Sequence, residues 1–156
     1  MENKKVRNAT YVTVDDITFK SKLEASVYKH LLQAGFKPDY EEMTFILWSG
    51  FKPTVPFYSK NGLNMKKLIN ITYTPDFTFN YKKYLIIIEV KGRQNDVFPY
   101  KFKMFRRILE QFPYRNKTLL FEIFSIKQLK ECIEIIKSYA ESRTDEATDN
   151  CSTSEG

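Results

Sequence analysis

Tyr73-Thr74-Pro75-Asp76-Phe77, followed across a short polar turn by Ile86-Ile87-Ile88-Glu89-Val90-Lys91-Gly92, holds the strongest structural signal in the chain. Strand side chains alternate between faces, so Glu89 and Lys91 share one side while Ile88 and Val90 point to the other. A buried apolar run that ends in an acid and a lysine sets ionisable groups at the mouth of a sheet. If residues 73–79 pair antiparallel with 84–91 around Asn80-Tyr81-Lys82-Lys83, residue 79 faces 84 and Asp76 faces Ile87. Asp76 then lies diagonally beside Glu89, at about 7 to 8 Å between α-carbons. Pro75 cannot donate to a ladder, so regular pairing is expected to stop just before Asp76, where a cleft can open.

Two carboxylates at that spacing, with a third group and waters, describe a magnesium site whose ion is shared with substrate phosphate oxygens. A lysine beside them can orient an attacking water and offset developing negative charge. The same residues also suit a plain hairpin with a salt-bridged Glu89/Lys91 rim. Spacing by itself leaves both readings open.

Pro75-Asp76 with Glu89-Val90-Lys91 resembles the PD-(D/E)xK nuclease signature. The likeness extends backward through Ser21-Lys22-Leu23-Glu24-Ala25 and Phe36-Lys37-Pro38-Asp39-Tyr40-Glu41-Glu42. In order and approximate spacing these resemble the phage endonuclease I type of Holliday junction resolvase and a broader set of phage endonuclease-like proteins, over roughly residues 12–124. The resemblance implies an α/β, restriction-endonuclease-like core with a mixed central sheet flanked by helices. It implies Glu24, Asp76, Glu89 and Lys91 as catalytic residues, and Asp76, Glu89, the Val90 carbonyl and Glu24 around Mg2+, with Mn2+ substituting. It further implies a structure-selective DNA endonuclease, homodimeric, cutting branched or four-way phage DNA. Two other readings stand beside it: a nicking or end-processing nuclease of the same type without junction preference, and a non-catalytic DNA-binding or virion protein on the same fold. Glu24 itself reads two ways, because Ser21-x-x-Glu24 is also a helix capping box.

The 156 residues suit one globular domain of aromatic, basic character, with net charge +6. The nuclease domain is expected over residues 11–140, after a basic arm at 1–10 that holds Lys4, Lys5 and Arg7. Residues 141–156 hold five acids against Arg143, a net of −4, and read as a disordered tail. The preceding 140 residues therefore carry +10, as expected for a partner with a phosphate backbone and equally for a lysine-rich surface that serves solubility. No apolar run reaches the roughly 18 residues of a membrane span, and the charged N-terminus lacks a signal-peptide core, so the expected location is cytoplasmic, that of the host bacterium if phage-encoded. Two cysteines, Cys132 and Cys151, and the single His30 exclude a disulfide framework and histidine- or cysteine-rich metal sites. Cys132 reads as buried filler and His30 as a helix-packing residue.

Along the chain, a hairpin is expected over 11–19, a helix over 21–34 and a strand over 38–48. Residues 48–67 form a long irregular segment mixing Trp48, Phe51, Phe57 and Tyr58 with Lys52, Lys60, Lys66 and Lys67. Such a mixture suits unpaired bases at a distorted junction or a dimer contact. This segment is longer than in the compact resolvase pattern, which bears on junction preference. After Gly92, Phe98, Phe102, Phe105 and Leu109 recur at helical spacing. Lys101, Lys103, Arg106 and Arg107 fall mostly off that stripe, as a DNA-backbone grip or a solvated face. A strand over 118–124 and a Ser125-capped helix complete the pattern.

Overall fold

The hairpin that opens the fold is turned by Asp15 and Asp16, both left-handed at φ 49° and 62°. A two-residue turn needs that backbone to match strand twist, and aspartate tolerates it better than most side chains. The computed structural model describes residues 10–92 and 97–142, so nearly all of the expected basic arm and acidic tail lies outside the described residues. The first elements are β1 (Val12–Val14), β2 (Ile17–Phe19) and α1 (Lys22–Gln33), followed by β3 (Asp39–Tyr40), β4 (Phe45–Trp48), β5 (Tyr58–Ser59) and β6 (Gly62–Leu63). Then come β7 (Ile71–Tyr73), β8 (Phe77–Tyr81), β9 (Tyr84–Val90), α2 (Phe98–Glu110), β10 (Thr118–Ile123) and α3 (Ile126–Glu141). No helix among the described residues is long and apolar enough to cross a membrane.

By its internal contacts the chain forms two units. One comprises residues 1–42, 75–93 and 116–156; the other comprises 43–74 and 94–115. The first holds a mixed sheet in the order β10-β9-β8-β3, with β10 parallel to β9 and the other neighbours antiparallel. Phe77, Phe79, Tyr84, Ile86, Ile88 and Val90 lie on one face of it, and α1 and α3 cover that face with Val27, Leu31, Leu129, Ile133 and Ile136. The architecture is α/β, a mixed central sheet flanked by helices in a restriction-endonuclease-like arrangement, as the resemblance implies. Both helices start at a serine whose hydroxyl accepts a backbone N–H three residues on, Ser21 from Glu24 and Ser125 from Gln128. Cys132 is buried in this core, and the His30 ring bonds the Ser26 carbonyl of its own helix at 2.8 Å.

In the second unit β4 pairs with β7, and their inward residues Phe45 and Tyr73 meet Phe105 of α2 at ring-centroid distances of 4.8 and 4.5 Å. Phe98 and Phe102 extend that aromatic packing, and this accounts for the helical stripe. The small β5–β6 hairpin lies inside the stretch expected to be irregular. Gly50 is required where it stands, because a Cβ would collide with the backbone at Leu68–Asn70.

Two expectations are corrected. Residues 38–48 are not one strand: Glu41 turns left-handed at φ 50°, so β3 ends at Tyr40 and β4 begins at Phe45. The turn between β8 and β9 is also two residues rather than four, because Tyr81 and Tyr84 still pair and Lys82 takes the left-handed backbone at φ 50°. Phe77 therefore faces Ile88, and one further step along the register sets Asp76 opposite Glu89, not diagonal to it.

Candidate functional site

Strand pleating sends Ile88 and Val90 into the core and leaves Glu89 and Lys91 on the other face. Both are nevertheless buried, Glu89 at 7% exposure and Lys91 at 9%, and the lysine ammonium donates to Glu89 Oε1 at 2.6 Å. Across the hairpin, Asp76 Oδ2 accepts the Val90 N–H at 2.6 Å, a bond available because Pro75 has broken the regular ladder. Burial, then the charge of Glu89, raise the Asp76 pKa to about 8, against the Val90 N–H and with a further contribution from Glu24. Charges are seldom buried in a chain of this size unless paired, and a buried pair adds little stability over apolar packing. Among the described residues, the polar or charged side chains that are buried are Glu24, Thr78, Glu89 and Lys91. Three of these four are candidate catalytic residues from the sequence.

Glu24 arrives from α1. Its Oε1 accepts the Ser21 hydroxyl at 2.9 Å, and its Oε2 accepts the Tyr40 hydroxyl at 2.6 Å and the Lys20 N–H at 3.2 Å. The geometry is that of a capping acid reaching back past its own cap residue. Its charge is felt at Asp76. The Tyr40 hydroxyl is itself shifted up in pKa, by burial and then by this bond to Glu24. Glu24→Gln is expected to lower the melting temperature by a few degrees, because an amide cannot accept on both sides, and, under the nuclease activity that the sequence resemblance implies, to slow DNA cleavage more than tenfold. Melts run beside cleavage rates check this, and full activity with a lowered melting temperature would leave Glu24 as a cap only.

The donor set suits a hard cation in part. Asp76, Glu89 and the Val90 carbonyl are all oxygen donors, and magnesium is ordinarily held by one or two carboxylates together with substrate phosphates and water. The raised proton affinity of Asp76 comes first from burial and second from the charge of Glu89, and a cation relieves that repulsion as a proton does. Among the described residues, no group of three or more His, Cys, Asp or Glu is placed to hold a metal ion by itself. Asp76, Glu89 and Glu24 therefore do not form a ready-made three-acid cage.

A profile for a family described as "Protein of unknown function (DUF1064)" matches residues 4–130 of this chain. The chain belongs to the DUF1064 family. Comparisons with curated proteins and with solved structures return no match. The basic residues of this DUF1064 protein proposed from sequence to grip DNA lie on α2, in the second unit. Lys103, Arg106 and Arg107 are exposed there, and Lys101 is half-buried.

Three residues near the acids of the DUF1064 chain carry no local motif. Tyr40 reads as core from sequence, yet its hydroxyl holds Glu24. Lys20 pairs with Glu41, and although partial burial disfavours its charge, Glu41, then Glu24 and Asp76, raise its pKa. Glu122 of β10 stands in register beside Glu89, on the same face by the pleat, and is half-buried. Parallel pairing between strands so far apart in sequence leaves no trace that spacing reveals.

Proposed function

We propose that this DUF1064 protein is a metal-dependent DNA endonuclease of the PD-(D/E)xK type, with Asp76, Glu89 and Lys91 as its catalytic set. The observation that carries the proposal is the buried Glu89–Lys91 pair beside an Asp76 of raised proton affinity, all at the C-terminal end of β9. Apolar residues would hold this sheet end together at least as well, so charges placed here point to chemistry. Asp76 is oriented by the Val90 N–H, and Glu89 holds the Lys91 ammonium on the polar face. Asp76 and Glu89, with the Val90 carbonyl and Glu24 at hand, would hold the cation, Mg2+ or Mn2+. When bound, it supplies Lewis-acid stabilisation of the scissile phosphate and a more acidic water. Lys91 orients the attacking water and stabilises charge on the phosphate oxygens.

The finer proposal is that the substrate is branched DNA and the active form a homodimer, because two symmetric cuts call for two symmetric sites. Linear, nicked, flapped and four-way DNA of matched length, each incubated with Mg2+, Mn2+ or chelator, test both levels. Cleavage is expected with metal only, and fastest on the four-way substrate. Intact DNA in every reaction with folded protein would overturn the nuclease reading, whereas equal rates on all substrates would remove junction preference alone.

Exposed Lys103 and Arg107 are proposed to contact DNA phosphates. Their double replacement by alanine is expected to weaken all duplex-containing substrates by similar factors, since phosphate contacts carry no sequence information. It is also expected to flatten the slope of log affinity against log salt by about 0.9 for each phosphate that is no longer neutralised. Filter binding across a salt series measures this, and an unchanged slope would make the face merely solvated.

A further inference from the structure

The division into units sharpens the charge asymmetry seen in the sequence. Residues 43–74 and 94–115 hold nine Lys/Arg against two Asp/Glu, a net of +7 that exceeds the +6 of the whole chain. Within them, Met43–Thr74 contains four lysines and no acid at all. All four lysines are exposed. This segment also displays exposed aromatic surface: Trp48 is 38% exposed, Phe51 49%, Phe57 59% and Tyr58 73%. Although it contains little regular structure, its backbone is pinned across itself. Leu68 N–H donates to the Phe51 carbonyl at 2.8 Å, Asn64 N–H to the Phe57 carbonyl at 2.8 Å, and Gly50 N–H to Asn70 Oδ1 at 2.7 Å. The backbone that carries the aromatics therefore has little ordering left to do on binding.

We propose that Met43–Thr74 is a single-stranded DNA-binding surface, on which unpaired bases stack against Trp48, Phe51, Phe57 and Tyr58 while the segment's lysines hold the backbone. Charge decides the occupant. An acid-free lysine surface complements phosphate, whereas a second copy docked two-fold on the same face would set lysine against lysine. Aromatic faces also have use only where bases are unstacked, and that points to a single strand over an intact duplex. The inference rests on the nuclease reading for its role, which is to capture the unpaired nucleotides of a branched or frayed substrate.

Trp48 is the only tryptophan in the chain, so its fluorescence reports directly on the proposed surface. Full-length protein in chelator, where no cleavage occurs, is titrated with a short oligothymidylate and with a duplex of equal length. The single strand is expected to quench Trp48, and the duplex to leave its emission nearly unchanged. Phe57→Ala and Tyr58→Ala are each expected to weaken oligothymidylate binding about 5- to 150-fold, the equivalent of one stacked base. Unquenched emission, equal quenching by duplex, or wild-type affinity in both alanine variants would overturn the proposal. So would a DNA-free dimer, seen by sedimentation, in which Trp48 emission shifts to the blue, because a second copy would then own the surface. Quenching without cleavage of any substrate with metal would fail the nuclease reading and leave this surface standing. Cleavage without quenching would do the reverse.

Discussion

Asp76→Asn is expected to abolish cleavage and at the same time to raise the melting temperature of the metal-free protein at pH 8. The two effects share one cause. Asp76 in the folded chain is pushed up to about 8 by burial and by Glu89, far above its value of 3.8 in an unfolded chain. Between those two values the folded state binds a proton that the unfolded state has released. The contribution of this group to stability is therefore fully present below about pH 4 and is lost as pH rises toward 8. Asparagine carries no charge, and its carbonyl can still accept the Val90 N–H. The variant should thus show a flatter melting profile across that window, gaining about 2 to 4 °C for each kcal/mol recovered in a chain of this size. Cleavage should fall by roughly 10³-fold or more, the equivalent of the several kcal/mol a catalytic cation supplies. Melts in chelator from pH 4 to 9, set beside single-turnover cleavage with magnesium, measure both. An unaltered cleavage rate would remove Asp76 from the site, whatever the melts show.

Lys91 offers the second large effect, and it needs a control because the residue is buried against Glu89. Lys91→Ala breaks a buried ion pair by removing the ammonium that Glu89 accepts from, a change that typically costs about 3 to 5 kcal/mol. Cleavage should also drop by about 10² to 10³, the usual loss of a positioned charge stabiliser. The stability loss alone could reduce activity, so the single variant does not decide the role. Glu89→Gln combined with Lys91→Met removes both charges and keeps the side chains similar in length. This double variant is expected to recover most of the lost melting temperature and none of the cleavage. Recovery of both would mean that the pair is structural and that the chemistry lies elsewhere.

Much of this arrangement was legible from residues alone, because it depends on local rules. The isoleucine run broken by Glu89 and Lys91 announces a strand whose two faces differ, and β9 has that form. Ser21 and Ser125 announce helix starts, since a hydroxyl three residues before an unsatisfied N–H is a short-range requirement. The apolar stripes of α1 and α3 follow from helical periodicity, and they meet one face of the sheet as that periodicity requires.

What the tertiary structure decided is register and company. Whether Asp76 faces Ile87 or Glu89 depends on two residues of turn, and the left-handed backbone at Lys82 that shortens it belongs to a residue with no special liking for that conformation. The break at Glu41, also left-handed and not glycine, divides a stretch whose composition reads as one strand. Glu122 comes beside Glu89 through parallel pairing, and Tyr40 reaches Glu24 because β3 joins the edge of the sheet as α1 crosses it. The residues alone carried the main helices, the β9 strand and the acids and bases, since those are properties of a residue and its near neighbours. Only the folded chain determined which acids share a face and which hydroxyl holds which carboxylate, because those contacts join residues whose separation along the chain carries no periodic signal.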